Sequence, residues 1–501
     1  MTARPAMPHD VPARRAFALA VAIVAALTAV RLAASYLSVV DLYVDEAQYW
    51  AWSRIPAFGY FSKPPLLAWV IALTTGVCGN GEACVRAASP LLYFATSIIA
   101  YAVARALYDD RIALWTALTV AFATGVSFSS RIISTDVPLL FFWALALLAY
   151  VRLRRAPDLR WAATLGVALG LGTLTKYAML YFVMSIAIAA LFDPATRALL
   201  RRGQTWAALA IAVAVIAPNI VWNAANGFVT FEHTGGNVAG GGWHFDLTQG
   251  LEFPFSQFAV FGPITFGALI ATLVRWRTVK PTLDDKVMLA FAVPLLGLVT
   301  AVGFVRGANG NWAAPAFISA AVVTTAVLAR NGLSGWIKVG VAIGVAVQAG
   351  LLVADAMADR VHVPGLAKGD VYARTMGWRA LGEETARLAQ AHKAATVATE
   401  GRDEIAALFY YLRDQNLQVK SWPGGTVPDH YFEAADPLTA ASPGPVLFVS
   451  TCGAPARLAA AYKGVTPLGP FTARSGPTSE RQFFAFLLQG ARGAIPPLHG
   501  C

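Results

Sequence analysis

Charged side chains are scarce in this sequence. Asp, Glu, Lys and Arg together account for 13% of the 501 residues, whereas hydrophobic residues account for 57%. Soluble globular domains carry roughly 25% charged residues, so the deficit excludes a chain that is folded entirely in water. Internal repeats and low-complexity segments are also missing, which argues against the transporters that are built from repeated halves.

Cysteines and nucleotide-binding motifs are missing as well. Four cysteines are too few for a disulfide scaffold, and they show no metal-ligand spacing. Cys78 and Cys84 could form one disulfide on an oxidising side of a membrane or remain two free thiols. The glycine-rich stretch 235–242 lacks the strand-to-helix context of a P-loop or a Rossmann fingerprint. We interpret this stretch as a flexible lid.

Continuous apolar runs recur over the first 350 positions. Many approach about 20 residues, the length at which a helix crosses a hydrocarbon core of roughly 30 Å. Because the runs do not alternate between apolar and polar residues, they indicate helices rather than barrel strands. The sequence therefore predicts a polytopic all-α membrane protein with about 11 transmembrane helices. The predicted spans are 17–38, 86–107, 112–130, 137–151, 161–175, 177–192, 205–222, 255–274, 287–305, 313–329 and 333–353.

The net charge of +11 is distributed unevenly among the predicted loops. Lys and Arg concentrate in loops 152–160, 197–202 and 275–286, whereas loop 223–253 contains neither. Because positively charged loops stay in the cytoplasm, we expect a cytoplasmic N-terminus and a periplasmic C-terminus. This bias explains the basic charge without nucleic acid as a partner. The apolar run 66–77 is short for a crossing and is interpreted as a helix on the outer membrane surface.

Composition changes after about residue 354, where charges and turn residues become frequent. The sequence predicts an amphipathic helix over 376–392 and, in addition, a helix over 405–412 and strands at 395–399, 446–450 and 482–488. The residues expected on the buried face of the first helix are Trp378, Leu381, Thr385, Leu388 and Ala389. We therefore predict two domains. They are a transmembrane catalytic domain, 1–353, with an outer-surface first loop, 40–85, and a soluble periplasmic α/β domain, 354–501.

The first predicted outer loop combines acidic, aromatic and basic residues. Asp45 and Glu46 follow the first span, and Tyr60 precedes Lys63 and the stiff pair Pro64–Pro65. Carboxylates next to lipid are costly and need a reason. Asp45 is a candidate general base, and Lys63 offers a cation for a phosphate group. The alternative is a solvated loop with a belt of aromatic residues.

Asp136 follows the third predicted span and should lie on the same side of the membrane as Asp45. Both carboxylates could then line one cavity, where they could also hold a divalent metal ion. The alternative for Asp136 is a helix N-cap, because Pro138 follows two residues later.

Two further cations lie where lipid makes an unpaired charge expensive. Lys176 separates two apolar runs, and Arg86 begins the second span. Both are candidates for binding a phosphate. The alternatives are a structural ion pair for Lys176 and an interfacial position for Arg86.

The remaining candidates lie in outer loops. His233 and His244 flank the glycine-rich stretch, and Asn311 and Trp312 open the tenth span. Tyr60, His233, Asn311 and Trp312 could contact a sugar. The two histidines could ligate a metal ion, although no clear third ligand accompanies them; ordinary loop residues are the alternative.

These motifs resemble a known superfamily, the protein mannosyltransferases and aminoarabinose transferases. The resemblance is carried by Val44–Trp50 with Tyr60–Pro65, and it is supported by Thr135–Pro138, Asn311–Pro315 and Ala398–Tyr410. Members of this superfamily are integral-membrane glycosyltransferases with the type C fold. The resemblance covers most of the chain in order and spacing.

The resemblance implies a polyprenyl-phosphate sugar as donor and transfer at the outer face with inversion at the anomeric carbon. Matched by position, Asp45 corresponds to the family's acidic residue that activates the acceptor hydroxyl, and Lys63 corresponds to the lysine that contacts the donor phosphate. Asp136 corresponds to the second acidic position, and the resemblance implies that Glu46 completes the motif by orienting its neighbours.

We therefore expect an inverting glycosyltransferase of a bacterial inner membrane. Its acceptor would be a membrane lipid or a glycan of the cell envelope, such as lipid A or lipopolysaccharide. A protein O-mannosyltransferase-like enzyme and a lipid or sugar flippase are the alternatives. No cofactor is indicated with certainty, and a divalent metal ion is open.

Overall fold

The computed structural model describes residues 13–239, 244–362, 370–425 and 427–497. The α-helices are α1 (Ala13–Leu37), α2 (Val44–Ser53), α3 (Leu66–Cys78), α4 (Glu82–Arg86), α5 (Ala88–Leu107), α6 (Asp110–Ala121), α7 (Thr124–Ser129), α8 (Asp136–Arg155), α9 (Leu159–Thr175), α10 (Tyr181–Phe192), α11 (Pro194–Leu200), α12 (Gly203–Ala225), α13 (Val229–Ala239), α14 (Leu247–Val260), α15 (Pro263–Val274), α16 (Trp276–Val279), α17 (Leu283–Ala290), α18 (Val293–Arg306), α19 (Ala316–Arg330), α20 (Ser334–Ala356), α21 (Trp378–Ala391), α22 (Arg402–Tyr411) and α23 (Tyr431–Ala435). The strands are β1 (Thr396–Thr399), β2 (Gln418–Ser421), β3 (Val446–Ser450), β4 (Tyr462–Arg474) and β5 (Glu480–Ala491). Short 3-10 helices lie at Tyr177–Leu180, Gly310–Ala313 and Pro455–Ala460.

Six helical segments are long and apolar enough to cross a membrane, judged by length and composition over the described residues. They are Arg14–Leu37, Glu82–Leu107, Asp136–Arg155, Gly203–Ala225, Leu283–Arg306 and Ser334–Ala356. Helices α14 and α15 would make a seventh, but the chain bends by 118° between them. Each of these segments coincides with a predicted span.

The other four predicted spans are helical but short. Helix α9 has 17 residues, α10 has 12 and α19 has 15, and the span predicted at 112–130 is broken between α6 and α7. At 1.5 Å per residue, 12 to 17 residues cover about 18 to 26 Å, less than a core of roughly 30 Å. Over the described residues, length and composition alone support six or seven of the predicted crossings, and the number of about 11 stays a prediction. Hydropathy locates apolar segments but does not detect the breaks within them.

Contacts divide the chain into two compact units. The first takes in residues up to Ser35, Lys63–Leu67 and Arg86–Leu352, and the second takes in Tyr36–Ser62, Ala68–Val85 and the residues from Val353 onward. The sequence assigns the first loop, 40–85, to the transmembrane domain, but most of it belongs to the same compact unit as the C-terminal domain.

Helix α8 lies at the centre of the first unit. Its side chains Trp143 and Tyr150 form an aromatic cluster with Phe182 and Phe291, with ring centroids 4.9–6.5 Å apart. Such aromatic pairs stabilise a core beyond the area that they bury. This packing fixes α8 and, with it, the position of Asp136 at its first residue.

Two glycines allow α9 to approach α12 closely. A Cβ atom on Gly166 would lie 2.5 Å from the carbonyl oxygen of Ala208, and one on Gly170 would lie 2.6 Å from Cβ of Val215. Small residues at such spacing let helices pack backbone to backbone in a membrane. The contact fixes the end of α9, where Lys176 follows.

The second unit contains a five-stranded sheet with the strand order β2-β1-β3-β5-β4. Strand β1 pairs in parallel with β2 and β3, whereas β5 is antiparallel to β3 and β4. The predicted helices and three predicted strands are confirmed, and all five predicted core residues of α21 are buried. The sequence analysis did not identify β2 and β4.

Two segments of the first loop complete this unit. Helix α2 packs against α22, and a disulfide joins Cys78 and Cys84. The structure thereby chooses between the two alternatives that the sequence left for these cysteines. Disulfides persist in oxidising compartments.

Candidate active site

Helix α2 carries the acidic pair of the first loop. Oε2 of Glu46 accepts a hydrogen bond of 2.9 Å from the backbone N–H of Tyr43, and the Glu46 side chain is buried. This contact satisfies an otherwise unpaired donor at the helix start. Glu46 therefore stabilises the N-terminal turn of α2, on which Asp45 lies. The Asp45 carboxylate is 43% exposed. A direct catalytic role for Glu46 stays a prediction.

Asp45 forms an ion pair with Arg402, the first residue of α22. The same guanidinium donates through Nε to Oε1 of Gln48, at 2.8 Å. Burial lowers the pKa of Arg402, but the charge of Asp45 and the hydrogen bond to it outweigh burial, so that the pKa lies above its usual value. Arg402 thus holds Asp45 and Gln48, one helical turn apart on α2.

A loop closed by the disulfide supports the same helix. In this loop, Oδ1 of the Asn80 side chain accepts a hydrogen bond of 3.0 Å from Nε1 of Trp50. The backbone carbonyl oxygen of Asn80 accepts a hydrogen bond of 2.7 Å from the Tyr410 hydroxyl. The rings of Trp50 and Tyr410 also meet edge to face at 5.0 Å. The loop between Cys78 and Cys84 therefore connects α2 to α22.

Asp41 has a structural role in the same unit. Its Oδ2 accepts from the backbone N–H groups of Trp378 and Arg379, at 2.9 and 3.2 Å, and so caps the N-terminus of α21. Burial raises the pKa of Asp41, while these backbone hydrogen bonds oppose the rise. The Arg379 side chain reaches both Asp41 and Glu82, at 3.4 and 2.6 Å.

Tyr60, a predicted sugar contact, is buried in a structural role. Its hydroxyl lies 2.9 Å from the carbonyl oxygens of Trp52 and Ile55, and its ring stacks on Trp52 at 4.8 Å. Burial raises the pKa of Tyr60 to about 12. The hydroxyl stabilises the turn that follows α2. The sugar contact predicted for Tyr60 stays a prediction.

The second acidic candidate lies in the first unit. Oδ1 of Asp136 accepts from Nζ of Lys176 at 2.7 Å, and Oδ2 accepts from Nδ2 of Asn311 at 2.6 Å. The side chains of Asp136 and Lys176 are 9% and 23% exposed, whereas Asn311 is exposed. Three residues that the sequence singled out separately therefore form one cluster that opens to solvent at the amide.

The contacts of this cluster bear on the alternatives for Asp136 and Lys176. Asp136 is the first residue of α8, but its oxygens bind Lys176 and Asn311 and do not cap the helix. Lys176 forms an ion pair with Asp136, which was one of the two alternatives for this residue. An ammonium group has three donors, so this pairing leaves Lys176 able to bind an anionic oxygen as well. Trp312 is half-buried and packs against the core of this unit.

The other predicted cations belong to the first unit too. Lys63 is half-buried between the buried residues Ser62 and Pro64, and Arg86 ends α4 with 4% of its surface exposed. Two buried flanking residues restrict the backbone on either side of Lys63. The functions predicted for Lys63 and Arg86 stay predictions.

The sequence left open whether the protein binds a divalent metal ion. No group of three or more His, Cys, Asp or Glu side chains that could hold a metal ion lies within the parts of the chain that the structure describes. His233 is half-buried on α13, and His244 is exposed. The predicted lid begins within α13, because Gly235 and Gly236 are helical. Residues 240–243 lie outside the described residues.

Several known proteins are similar to this chain. A family model described as dolichyl-phosphate-mannose-protein mannosyltransferase matches residues 62–222. The lipid A galacturonosyltransferase RgtD of Rhizobium johnstonii is 33% identical over 412 residues, which are 82% of this chain and 86% of that protein. An undecaprenyl phosphate-aminoarabinose arabinosyl transferase of Pseudomonas fluorescens is 30% identical over 33% of this chain and 32% of its own.

The fold also has a solved counterpart. The crystal structure of ArnT from Cupriavidus metallidurans bound to undecaprenyl phosphate matches with a TM-score of 0.66 at 16% identity. The match covers 93% of this chain and 97% of that one. At this identity the likeness shows the fold, and the extensive match to the galacturonosyltransferase shows the relationship. The chain is a multi-pass membrane glycosyltransferase, and it belongs to the superfamily of protein mannosyltransferases and aminoarabinose transferases.

Proposed function

We propose that this enzyme transfers a uronic acid from a polyprenyl-phosphate carrier to lipid A or to the lipopolysaccharide core. The observation that carries the proposal is the 33% identity to a lipid A galacturonosyltransferase over 86% of its length. A lipid-linked donor cannot leave the bilayer, which fits an enzyme with six or seven candidate spans. An aminoarabinose donor is the second candidate, because a named aminoarabinose transferase is 30% identical over a third of the chain.

The proposed reaction is a single displacement at the anomeric carbon. The acceptor oxygen forms a bond to this carbon, the bond from the carbon to the phosphate oxygen breaks, and polyprenyl phosphate leaves. The acceptor proton goes to Asp45, a general base that is partly exposed on α2. Because no covalent intermediate forms with the enzyme, the reaction inverts the anomeric configuration.

The leaving phosphate gains negative charge, which cations stabilise. We assign this role to Lys176, with Lys63 and Arg86 as further contributors. Asp136 and Asn311 hold the Lys176 cluster together. A divalent metal ion that binds Asp45 or Asp136 stays a prediction, which transfer in the presence of a chelator tests.

The proposed orientation follows the positive-inside bias, with the N-terminus in the cytoplasm and the C-terminus in the periplasm. The disulfide of Cys78 and Cys84 supports it, because both cysteines belong to the unit that holds the C-terminal domain. Labelling of single introduced cysteines in intact cells tests the orientation.

The proposal is tested by reconstitution. The full-length enzyme in lipid nanodiscs is mixed with undecaprenyl-phosphate galacturonic acid and lipid A, and products are read by mass spectrometry. We expect lipid A to gain one uronic acid residue with wild type and none with Asp45→Asn, which keeps the size of the side chain. Transfer from the aminoarabinose donor alone would replace the proposed sugar. Full activity of Asp45→Asn would remove Asp45 as the base. Movement of the intact donor between leaflets, with no product, would identify a flippase.

A further inference from the structure

Arg402 lies where parallel strands commonly bind ligands. Strand β1 ends at Thr399, and Arg402 begins α22 three residues later. In the order β2-β1-β3, the chain leaves β1 toward β2 on one side and returns to β3 on the other. Ligands of open α/β sheets bind outside the carboxyl ends of the strands at such a switch point. Arg402 occupies this edge, and its side chain reaches the helix of the first loop.

The guanidinium of Arg402 has free capacity for an anion. It donates through Nε to Gln48 and through Nη2 to Asp45, and Nη1 has no hydrogen-bond partner among the described residues. Its side chain is 39% exposed and that of Asp45 is 43% exposed, so solvent-borne groups can reach the ion pair. Guanidinium groups bind carboxylates through two parallel hydrogen bonds.

Glu400, which also lies at this edge, already has hydrogen-bonding partners. Oε1 of Glu400 accepts a hydrogen bond of 2.7 Å from the Ser450 hydroxyl at the end of β3, and Oε2 lies 3.4 Å from Nη2 of Arg457. Asp45 is the carboxylate to which Arg402 donates a hydrogen bond, so it is the one that an incoming anion would have to displace. A carboxylate held by a guanidinium is also a poorer proton acceptor than a released one.

We propose that Arg402 recognises the carboxylate of the transferred uronic acid by exchanging Asp45 for it. The exchange places the sugar's acidic group on α22 and releases Asp45 to accept the acceptor proton. A neutral sugar leaves the ion pair in place and is therefore discriminated against. This inference rests on the proposed function, because it assumes a uronic acid donor and Asp45 as base.

The experiment compares two donors that differ only at the sugar's sixth carbon. Undecaprenyl-phosphate galacturonic acid and undecaprenyl-phosphate galactose are titrated into full-length protein in nanodiscs, and dissociation constants are read from tryptophan fluorescence. Arg402→Gln should weaken binding of the uronic acid donor by about tenfold to a hundredfold, the range for a lost charged hydrogen bond. Binding of the neutral donor should stay within about threefold. Arg402→Lys keeps the charge but loses the planar guanidinium, so its dissociation constant for the uronic acid donor should lie between those of wild type and Arg402→Gln.

A second variant separates recognition from mere positioning. Asp45→Asn removes the competing counter-ion, so it should tighten binding of the uronic acid donor while leaving the neutral donor unchanged, although transfer is lost. Arg387→Gln is the matched control, because Arg387 forms an exposed ion pair with Glu384 within α21. It should change neither constant. Melting temperatures check that each variant is folded.

Three outcomes overturn the inference. Equal weakening of both donors by Arg402→Gln would assign Arg402 to the phosphate that the donors share. Unchanged binding of both donors, with slower transfer from each, would make Arg402 only a residue that positions Asp45. Weaker binding of the uronic acid donor to Asp45→Asn would contradict the exchange. Transfer of galactose but not of galacturonic acid by wild type would instead refute the proposed function itself.

Discussion

The cluster of Asp136, Lys176 and Asn311 allows a quantitative prediction. Removing one partner of a buried ion pair costs about 3–5 kcal/mol, whereas exposed pairs contribute about 0.2–1 kcal/mol. Asp136 is 9% exposed and Lys176 is 23% exposed, with the charged atoms 2.7 Å apart. Because Lys176 keeps some access to water, we expect Lys176→Met to lower the free energy of unfolding by about 3 kcal/mol.

The assay is a double-mutant cycle in detergent, with unfolding by sodium dodecyl sulfate. Lys176→Met, Asp136→Asn and the double variant are compared with wild type. Asp136→Asn retains the acceptor for Asn311, so the cycle isolates the charge interaction. We expect a coupling free energy of about 1–3 kcal/mol between the two sites, because neighbours in one network are not additive.

The exposed pair of Glu384 and Arg387 is the control for this cycle. These side chains are 29% and 64% exposed and lie three residues apart on one helix, so their coupling should be about 0.5 kcal/mol or less. A coupling at Asp136 and Lys176 as small as that of the control would refute the reasoning. It would mean that the cluster is effectively solvated and cannot hold Lys176 for a phosphate.

Three further predictions concern stability. Burial raises the pKa of Glu404 above its ordinary value of 4.5, so its ionised form opposes folding at neutral pH. Glu404→Gln should raise the melting temperature at pH 7, and the gain should vanish as the pH falls to about 4.5; a gain that persists in acid would contradict this cause. Replacing Cys78 and Cys84 by serine should lower the free energy of unfolding by on the order of 2 kcal/mol, and adding a reductant to the wild-type protein should lower it by a similar amount. If neither change lowered the stability, the disulfide would not form in the protein. Gly170→Leu should separate α9 from α12 and lower the melting temperature. Gly350→Leu should not lower it, because a Cβ atom at Gly350 would meet no atom within 4 Å. Equal effects of the two substitutions would contradict the close packing of α9 against α12.

The sequence predicted local structure well where one physical pattern dominates. The apolar residues of α21 recur with helical spacing, and the five residues predicted for its buried face are buried. Strand β4 was missed because it contains Gly464, Pro467 and Pro470, residues that normally end strands. The structure accommodates them because β4 is at the edge of the sheet, where one side of the strand needs no partner.

Span length shows a similar limit. The predicted span 255–274 is apolar throughout, yet the chain turns by 118° near Gly262, whose φ is +86°. A hydropathy window averages over such a turn. Only the backbone conformation shows that α14 and α15 are not one straight helix.

Composition, hydropathy and short motifs by themselves determined the membrane class of this protein and the order of its helices, and they singled out Asp45, Asp136, Lys176 and Asn311 as candidates. These follow from the cost of placing charges and unpaired backbone groups in lipid, which acts on each segment separately. The tertiary structure alone decided which groups meet. It joined Asp136 to Asn311 across 175 positions and Asp45 to Arg402 across 357. Such pairs depend on how helices and strands pack, and no local pattern in the chain encodes that.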